Sequence, residues 1–267
     1  VADHVGSDPA DRSTGFGSLI DPSVHQTALV TGASSGIGAS TVVAMRSRGF
    51  EVHAVARRED RLLQLAETTG CIAHVLDVRD TQSMCELASS TRADILVNNA
   101  GLGRAFGSLA SAEIDDIDRT IDTNVTAAIH AARAVLPSMI EAGRGHIVNI
   151  GSMAGLYPLS AALYGASKGA VHLLSTNLRL ELQGTGIRVT EICPGRVNTE
   201  FYDVAYDSAD AAARVKNSGV DEVTSEDVAA AIMYAVDAPW RVNINRIELQ
   251  PTEQTYGGSQ FVKRASR

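Results

Sequence analysis

The stretch Thr27-Ala28-Leu29-Val30-Thr31-Gly32-Ala33-Ser34-Ser35-Gly36-Ile37-Gly38 decides the fold. Residues 27–30 read as a short apolar strand, glycines at 32, 36 and 38 turn the chain, and residues 39–48 follow as an amphipathic helix ended by Gly49. Glycines at such a turn let backbone amides come close to a phosphate, and the helix N-terminus adds partial positive charge. The spacing is GxxxGxG, not the GxGxxG of the commonest dinucleotide fingerprint. The turn by itself points to phosphate binding, beside the alternative of a glycine-rich turn with no ligand.

Outward from it, the same alternation repeats. Strands are expected over 51–56, 72–76, 95–97, 146–150, 188–192 and 243–249. Helices are expected over 58–67, 112–136, 164–183 and 225–236, the second of these with Pro137 near its end and the last capped by Thr224 or Ser225. Strand–helix alternation at this spacing implies an α/β fold: a single Rossmann-type, doubly wound parallel sheet with helices on both faces. Ligands of such sheets sit beyond the carboxyl ends of the strands. Residues 1–24 are polar and show no period, and read as a flexible arm outside a single catalytic domain spanning 25–267.

The 267 residues suffice for one sizeable α/β core, and 45% hydrophobic with 20% charged residues is ordinary for a soluble globular chain. A net charge of −8, with no lysine or arginine cluster beyond a pair, argues against nucleic acid or an anionic membrane as partner. No apolar run approaches the ~20 residues of a membrane span, and no basic segment followed by an apolar one suggests a secretory signal. Cys71, Cys85 and Cys193 are scattered, with no CxxC, and read as reduced thiols of a cytoplasmic protein rather than disulfides or metal ligands. No His/Cys/Asp cluster offers a metal site.

Tyr164 and Lys168 lie one helical turn apart on one face, roughly 6 Å along the axis. An ammonium that close favours the phenolate, so Tyr164 is expected to fall from its ordinary pKa of about 10 towards neutrality. A phenol so poised can give a proton to a carbonyl oxygen or take one from an alcohol.

In register with this pair stand the glycine turn, Asn98-Asn99-Ala100-Gly101 after the fourth strand, Asn124, Ser152 and Pro194-Gly195. Their identity and order resemble the short-chain dehydrogenase/reductase family over residues 27–250. The resemblance implies a hydride-transferring oxidoreductase acting on a carbonyl or alcohol substrate. It makes Tyr164 the acid/base, and has Ser152 hold the substrate oxygen. Lys168 would bond the nicotinamide ribose, while the Asn124 backbone would hold a relay water. It further implies that Gly32, Ser34, Ser35, Gly36, Ile37, Gly38, Asp77, Val78, Asn99, Ala100 and Gly101 line the nucleotide. Pro194, Gly195, Val197 and Thr199 would shape the nicotinamide pocket, and Asn98 would brace the central strands.

NAD-users usually end the second strand with an acid for the ribose hydroxyl. Here that end reads Val55-Ala56-Arg57-Arg58, and guanidiniums suit a 2′-phosphate, so NADP(H) is expected. The sequence is most similar to the NADP-dependent branch acting on serine and other 3-hydroxy acids. It departs from that branch at 203–207, where acids and apolar residues replace expected basic ones. Arg104 and Arg196 are candidate substitutes as carboxylate partners; a neutral ketone, aldehyde or alcohol fits as well. Residues 199–224 carry no clear period and are expected to cover the substrate. The resemblance also implies a homotetramer built through the Tyr164 helix, for which Val171, Leu174, Leu178 and Leu182 offer an apolar stripe, or else a stripe facing the chain's own sheet. The competing classes are a non-catalytic NADP-binding regulator on the same fold, which need not keep an acid, and a nucleotide-sugar epimerase, against which the Asn98–Gly101 motif weighs.

Overall fold

The computed structural model describes residues 26–104, 108–205, 208–216, 219–256 and 260–262. Seven strands, β1 (Thr27–Thr31), β2 (Glu51–Ala56), β3 (Ile72–Val75), β4 (Ile95–Asn98), β5 (Gly145–Ile150), β6 (Ile187–Pro194) and β7 (Arg246–Leu249), form one sheet in the order β3-β2-β1-β4-β5-β6-β7. Every pairing is parallel. All residues of β4 and β5 are buried, because helices cover both faces of a parallel sheet and leave no strand side for water.

Among the described residues nine α-helices accompany the strands: α1 (Gly36–Ser47), α2 (Glu59–Thr69), α3 (Thr81–Thr91), α4 (Ile114–Ile121), α5 (Ala127–Ala142), α6 (Ala162–Glu181), α7 (Phe201–Ala205), α8 (Ala209–Lys216) and α9 (Ser225–Val236). On one face α1, α2 and α9 bury Val42, Met45, Leu62 and Ile232 against Val30 and Val97. On the other, α3, α5 and α6 bury Met84, Val135, Met139 and Leu178 against Leu29 and Leu96. Each fully buried aliphatic side chain stabilises the fold by ~1.5–3 kcal/mol before entropy is counted. The chain reverses its direction across the sheet between β1 and β4, and the crevice at their carboxyl ends is where a doubly wound sheet binds ligands.

Several sequence expectations are corrected. The helix expected over 112–136 is two helices joined by a π-helical turn, Asp122–Thr126, with Asn124 inside it. Pro137 does not end α5; it lies within it, between the buried Val135 and Met139, and the helix runs on to Gly143 in the left-handed region. Packing on both sides of the proline outweighs its one lost hydrogen bond. Helix α3 was not anticipated: its apolar positions are few, its start is marked by Asp80, whose carboxylate accepts from Ser83 N at 3.2 Å, and it ends at a left-handed Arg92 instead of a glycine. The segment 199–224 holds two short helices, α7 and α8. The last strand begins at Arg246, because Asn243 meets β6 with its side chain: its Oδ1 accepts from Val189 N at 2.8 Å. Thr224 caps α9, sharing a reciprocal capping box with Asp227. Val171, Leu178 and Leu182 are buried and Leu174 packs on the same core, so that stripe faces the chain's own sheet. The expected arm, 1–24, and Tyr206 and Asp207 of the substrate-covering segment lie outside the described residues. Among the described residues no helix is long and apolar enough to cross a membrane.

Candidate active site

The glycine turn is shaped by contact. Gly32 has φ +68°, and a Cβ there would stand 2.8 Å from Ala100 Cα and from Asn99 Nδ2. A Cβ on Gly38 would stand 2.3 Å from the Gly32 carbonyl oxygen, so only glycine lets α1 start this close to the turn. Asn99 clamps the turn from the next strand, its Nδ2 donating to the carbonyls of Thr31 at 2.9 Å and Gly32 at 3.2 Å. Thr31 Oγ1 accepts from the backbone N–H of Asn99 and of Ala100, both at 3.0 Å. Asn98 braces the sheet as expected, donating to Asn149 Oδ1 at 2.9 Å and the Ala128 carbonyl at 3.2 Å.

One cleft of about 580 Å³ runs from this turn to Tyr164. Of the expected nucleotide and nicotinamide residues, Gly32, Ser34, Ser35, Gly36, Ile37, Arg57, Arg58, Asp77, Val78, Asn99, Ala100, Gly101, Pro194, Gly195, Val197 and Thr199 line it. Gly38 and Asn124 are not on its surface; both act from behind it. The fit to a dinucleotide rests on the glycine cradle at one end, with a volume typical of cofactor clefts.

Cations gather at the end of β2. Arg58 Nε donates to Ser34 Oγ at 3.0 Å, its Nη2 to Ser35 Oγ, and its Nη1 to Glu200 Oε2 at 2.8 Å. Arg61, from α2, bonds both oxygens of the same carboxylate at 2.7 and 2.6 Å. These hydrogen bonds, from Arg61 and then Arg58, hold the Glu200 carboxyl below its ordinary range. Burial pushes Asp77 upward, but the hydrogen bonds and charge of Arg79, with the charge of Arg57, outweigh it and leave the carboxyl lowered. Arg57 Nη1 stands 3.6 Å from Asp77 Oδ2.

At the other end, Ser152 follows β5 and Tyr164 opens onto the cleft from α6. Ser152 Oγ accepts from Ala154 N at 3.1 Å and hydrogen-bonds the Tyr164 phenol. Lys168 is buried, and its Nζ donates to the Ile150 carbonyl at 2.8 Å. Asn124, also buried, takes the main chain of Leu102 with its amide: Oδ1 accepts from Leu102 N at 2.6 Å and Nδ2 donates to Leu102 O at 2.8 Å. Its Nδ2 also donates to Ser167 Oγ at 3.0 Å, and that hydroxyl donates to the Tyr164 carbonyl at 2.8 Å. The four residues named from sequence are therefore brought together.

The expected electrostatics are overturned. Burial pushes the Tyr164 phenol well above its ordinary value, and the Ser152 hydrogen bond only partly opposes this. Burial likewise pushes the Lys168 ammonium down to about 8. Lys168 does not draw the phenol towards neutrality: its ammonium is turned onto the Ile150 carbonyl, and the phenol's own burial prevails.

The wall beyond Tyr164 is aromatic. Its ring lies 5.3 Å from Phe201, Phe201 lies 5.5 Å from Tyr202, and the Arg196 guanidinium covers Tyr202 at 4.9 Å and Phe261 at 5.4 Å. Tyr157, another lining residue, reaches Glu248 Oε2 at 3.0 Å and the hydroxyl of Tyr256. Sequence reading missed Tyr157, Gln254 and Phe261, which long-range packing carries to the cleft, and Arg61, which bonds the lining residue Glu200; no motif marks them. Of the two arginine candidates, Arg196 lines the cleft, whereas Arg104 is turned to Asp116 Oδ1 at 3.0 Å and the Val204 carbonyl at 3.1 Å.

Residues 26–209 match the family model described as short chain dehydrogenase. The chain belongs to this family. It is 40% identical over 239 residues to the NADP-dependent 3-hydroxy acid dehydrogenase YdfG of Escherichia coli (strain K12), covering 86% of this chain and 96% of that one. It is 38% identical to the sulfoacetaldehyde reductase 2 of Chromohalobacter salexigens, covering 85% and 95% respectively. Among solved structures, the closed form of a serine dehydrogenase complexed with NADP+ superposes with a TM-score of 0.84 at 38% identity, covering 90% of this chain and 100% of that one. The chain is thus a short-chain oxidoreductase with the seven-stranded parallel fold of that family.

Proposed function

We propose that this oxidoreductase uses NADP(H) to interconvert a secondary or primary alcohol and its carbonyl, with Tyr164 as the acid/base. The reading rests on one observation above the others: Ser152, Tyr164, Lys168 and Asn124 converge at one end of a cleft whose other end is a glycine cradle flanked by Arg57 and Arg58. Arg57 and Arg58 would hold a 2′-phosphate, the amides of the turn and the α1 N-terminus would hold the pyrophosphate, and Lys168 the nicotinamide ribose. When bound, the nicotinamide supplies or accepts hydride at the substrate carbon.

The rest is work for the protein. Ser152 and Tyr164 aim hydroxyl donors at the substrate oxygen, where negative charge develops in reduction. The Tyr164 proton then passes from its hydroxyl to that oxygen; the raised pKa keeps the phenol protonated and ready at neutral pH. By the resemblance, Lys168 and a water on the Asn124 main chain, which lies in a π turn, would supply the route by which Tyr164 is reprotonated.

The relatives narrow the substrate class. A 3-hydroxy acid and sulfoacetaldehyde both carry an acid group two bonds from the reacting carbon, and this chain offers Arg196 at the end of the aromatic wall that starts at Tyr164. 3-Hydroxy acids and their 3-oxo counterparts are the first candidates, ahead of neutral alcohols and ketones.

Initial rates with NADPH and NADH against aldehydes, ketones and 3-oxo acids, and with NADP+ and 3-hydroxy acids in reverse, test the proposal. NADPH-preferring turnover that falls by about 10²–10⁴-fold in Tyr164→Phe is expected. Tight NADPH binding with no turnover on the whole panel would replace the enzyme reading by that of a binding regulator.

A further inference from the structure

Arg196 is held by a counter-ion that the fold builds for it. Its Nε donates to Glu222 Oε1, and both side chains are nearly excluded from solvent, at 8% and 12% exposed. The contact does not depend on a wandering side chain. Residues 197 and 223 form a parallel bridge, Asn198 N donates to the Val223 carbonyl at 2.8 Å, and Val223 N to the Arg196 carbonyl at 3.3 Å. Gln254 accepts from Arg196 N at 3.0 Å and fixes the same backbone from the other side. Glu222 is thus set beside Arg196 by main-chain register, while the Arg196 guanidinium stays stacked between Tyr202 and Phe261 on the cleft wall.

Resting on the proposed function above, we propose that Glu222 is a specificity-determining residue: by neutralising Arg196 it sets how strongly the site prefers an anionic substrate over a neutral one. A buried arginine without its acid would present a full, poorly hydrated positive charge and draw a carboxylate strongly. Paired with Glu222, it presents less of its charge, and an incoming carboxylate must share the guanidinium with an acid that cannot leave its register. Neutral groups are left to the aromatic wall, so the pair limits the preference for acids without abolishing it. The two residues act as one element whose net charge, not the presence of the arginine, decides selectivity.

The test is a charge series read as the ratio of kcat/KM for 3-hydroxybutyrate to kcat/KM for its methyl ester, with NADP+. Glu222→Gln removes one negative charge and is expected to raise the ratio by about ten-fold or more; Arg196→Gln removes one positive charge and is expected to lower it by about as much. The double variant Arg196→Met/Glu222→Met removes both charges and keeps the volume. Such replacements of buried pairs are tolerated, so it remains a test even where a single variant melts early. Its ratio is expected within about three-fold of wild type. The same ratio is read without turnover as calorimetric affinities of acid and ester for NADP+-loaded Tyr164→Phe protein carrying each change. A failure of the catalytic reading would silence the rates but leave this readout. A ratio that stays put in both single variants, or moves the same way in both, overturns the proposal.

Discussion

Tyr164 and Lys168 show how far a spacing rule reaches. Their i,i+4 placement on one helix face is as the sequence implies, but placement is not charge coupling. Lys168 is buried and donates to Ile150 O, and with the cost of desolvation its pKa falls to about 8, while the phenol beside it rises. A pH dependence follows. Below about 8 Lys168 keeps its proton, and above it the ammonium that would orient the ribose is lost, while the Tyr164 phenol is still protonated. The rate of carbonyl reduction is therefore expected to hold from neutral pH to about 8 and to fall beyond it, read as kcat/KM across roughly pH 6–10. Lys168→Arg, whose guanidinium does not titrate there, is expected to remove that falling limb while lowering the plateau. A limb that stays in place in Lys168→Arg would assign it to another group. The identities of Ser152, Asn124, Tyr164 and Lys168 were legible because the family's motifs are short and ordered; their protonation was not, because it depends on what surrounds them.

Among the elements, legibility followed how local the signal is. The glycine turn and the helix after it were readable, although α1 starts at Gly36 and not at the expected 39, since the conformation that Gly32 adopts and the contact that Gly38 allows are written in the residue type. Gly38→Ala would drive a methyl into the Gly32 carbonyl 2.3 Å away, so the turn must open. The expected result is at least about a ten-fold loss of NADPH affinity by fluorescence titration with the far-ultraviolet circular dichroism unchanged. Retained affinity would mean the cradle does not grip the nucleotide as inferred. The long helix was misread because an isolated asparagine signals an interruption without saying which kind. A π turn at Asn124 needs the Leu102 main chain, 22 residues back, to take both its amide groups. Helix α3 was missed because Met84 and Ala88, its two fully buried residues, make too thin a stripe to stand out without the sheet they pack on.

For the molecule as a whole, assembly is the open prediction. The stripe that suggested an interface is spent on the core, but the opposite faces of α5 and α6 carry Ile129, Ile140, Leu173 and Leu180 at 42%, 49%, 59% and 74% exposure. Residues 129 and 140, and residues 173 and 180, each recur on one helical face, so these two helices present apolar ridges to solvent. A homotetramer through these helices is expected by light scattering, with Leu180→Glu shifting it to smaller species; a monomeric wild-type protein would refute the assembly. Sequence by itself determined the order of the seven strands, the glycine turn, the basic end of β2 and the identities of the candidates Asn124, Ser152, Tyr164 and Lys168. The strands, the turn and the arginine pair are carried by neighbours within a turn or a strand of one another, where periodicity and residue type act directly, and the four candidates by motifs in the family's order. Only the tertiary structure decided that Glu200 sits between Arg58 and Arg61, that Arg104 is turned to Asp116, and that Arg196 is paired with Glu222. Charges in a folded chain answer to whichever segments burial brings together, and local spacing carries no record of those partners.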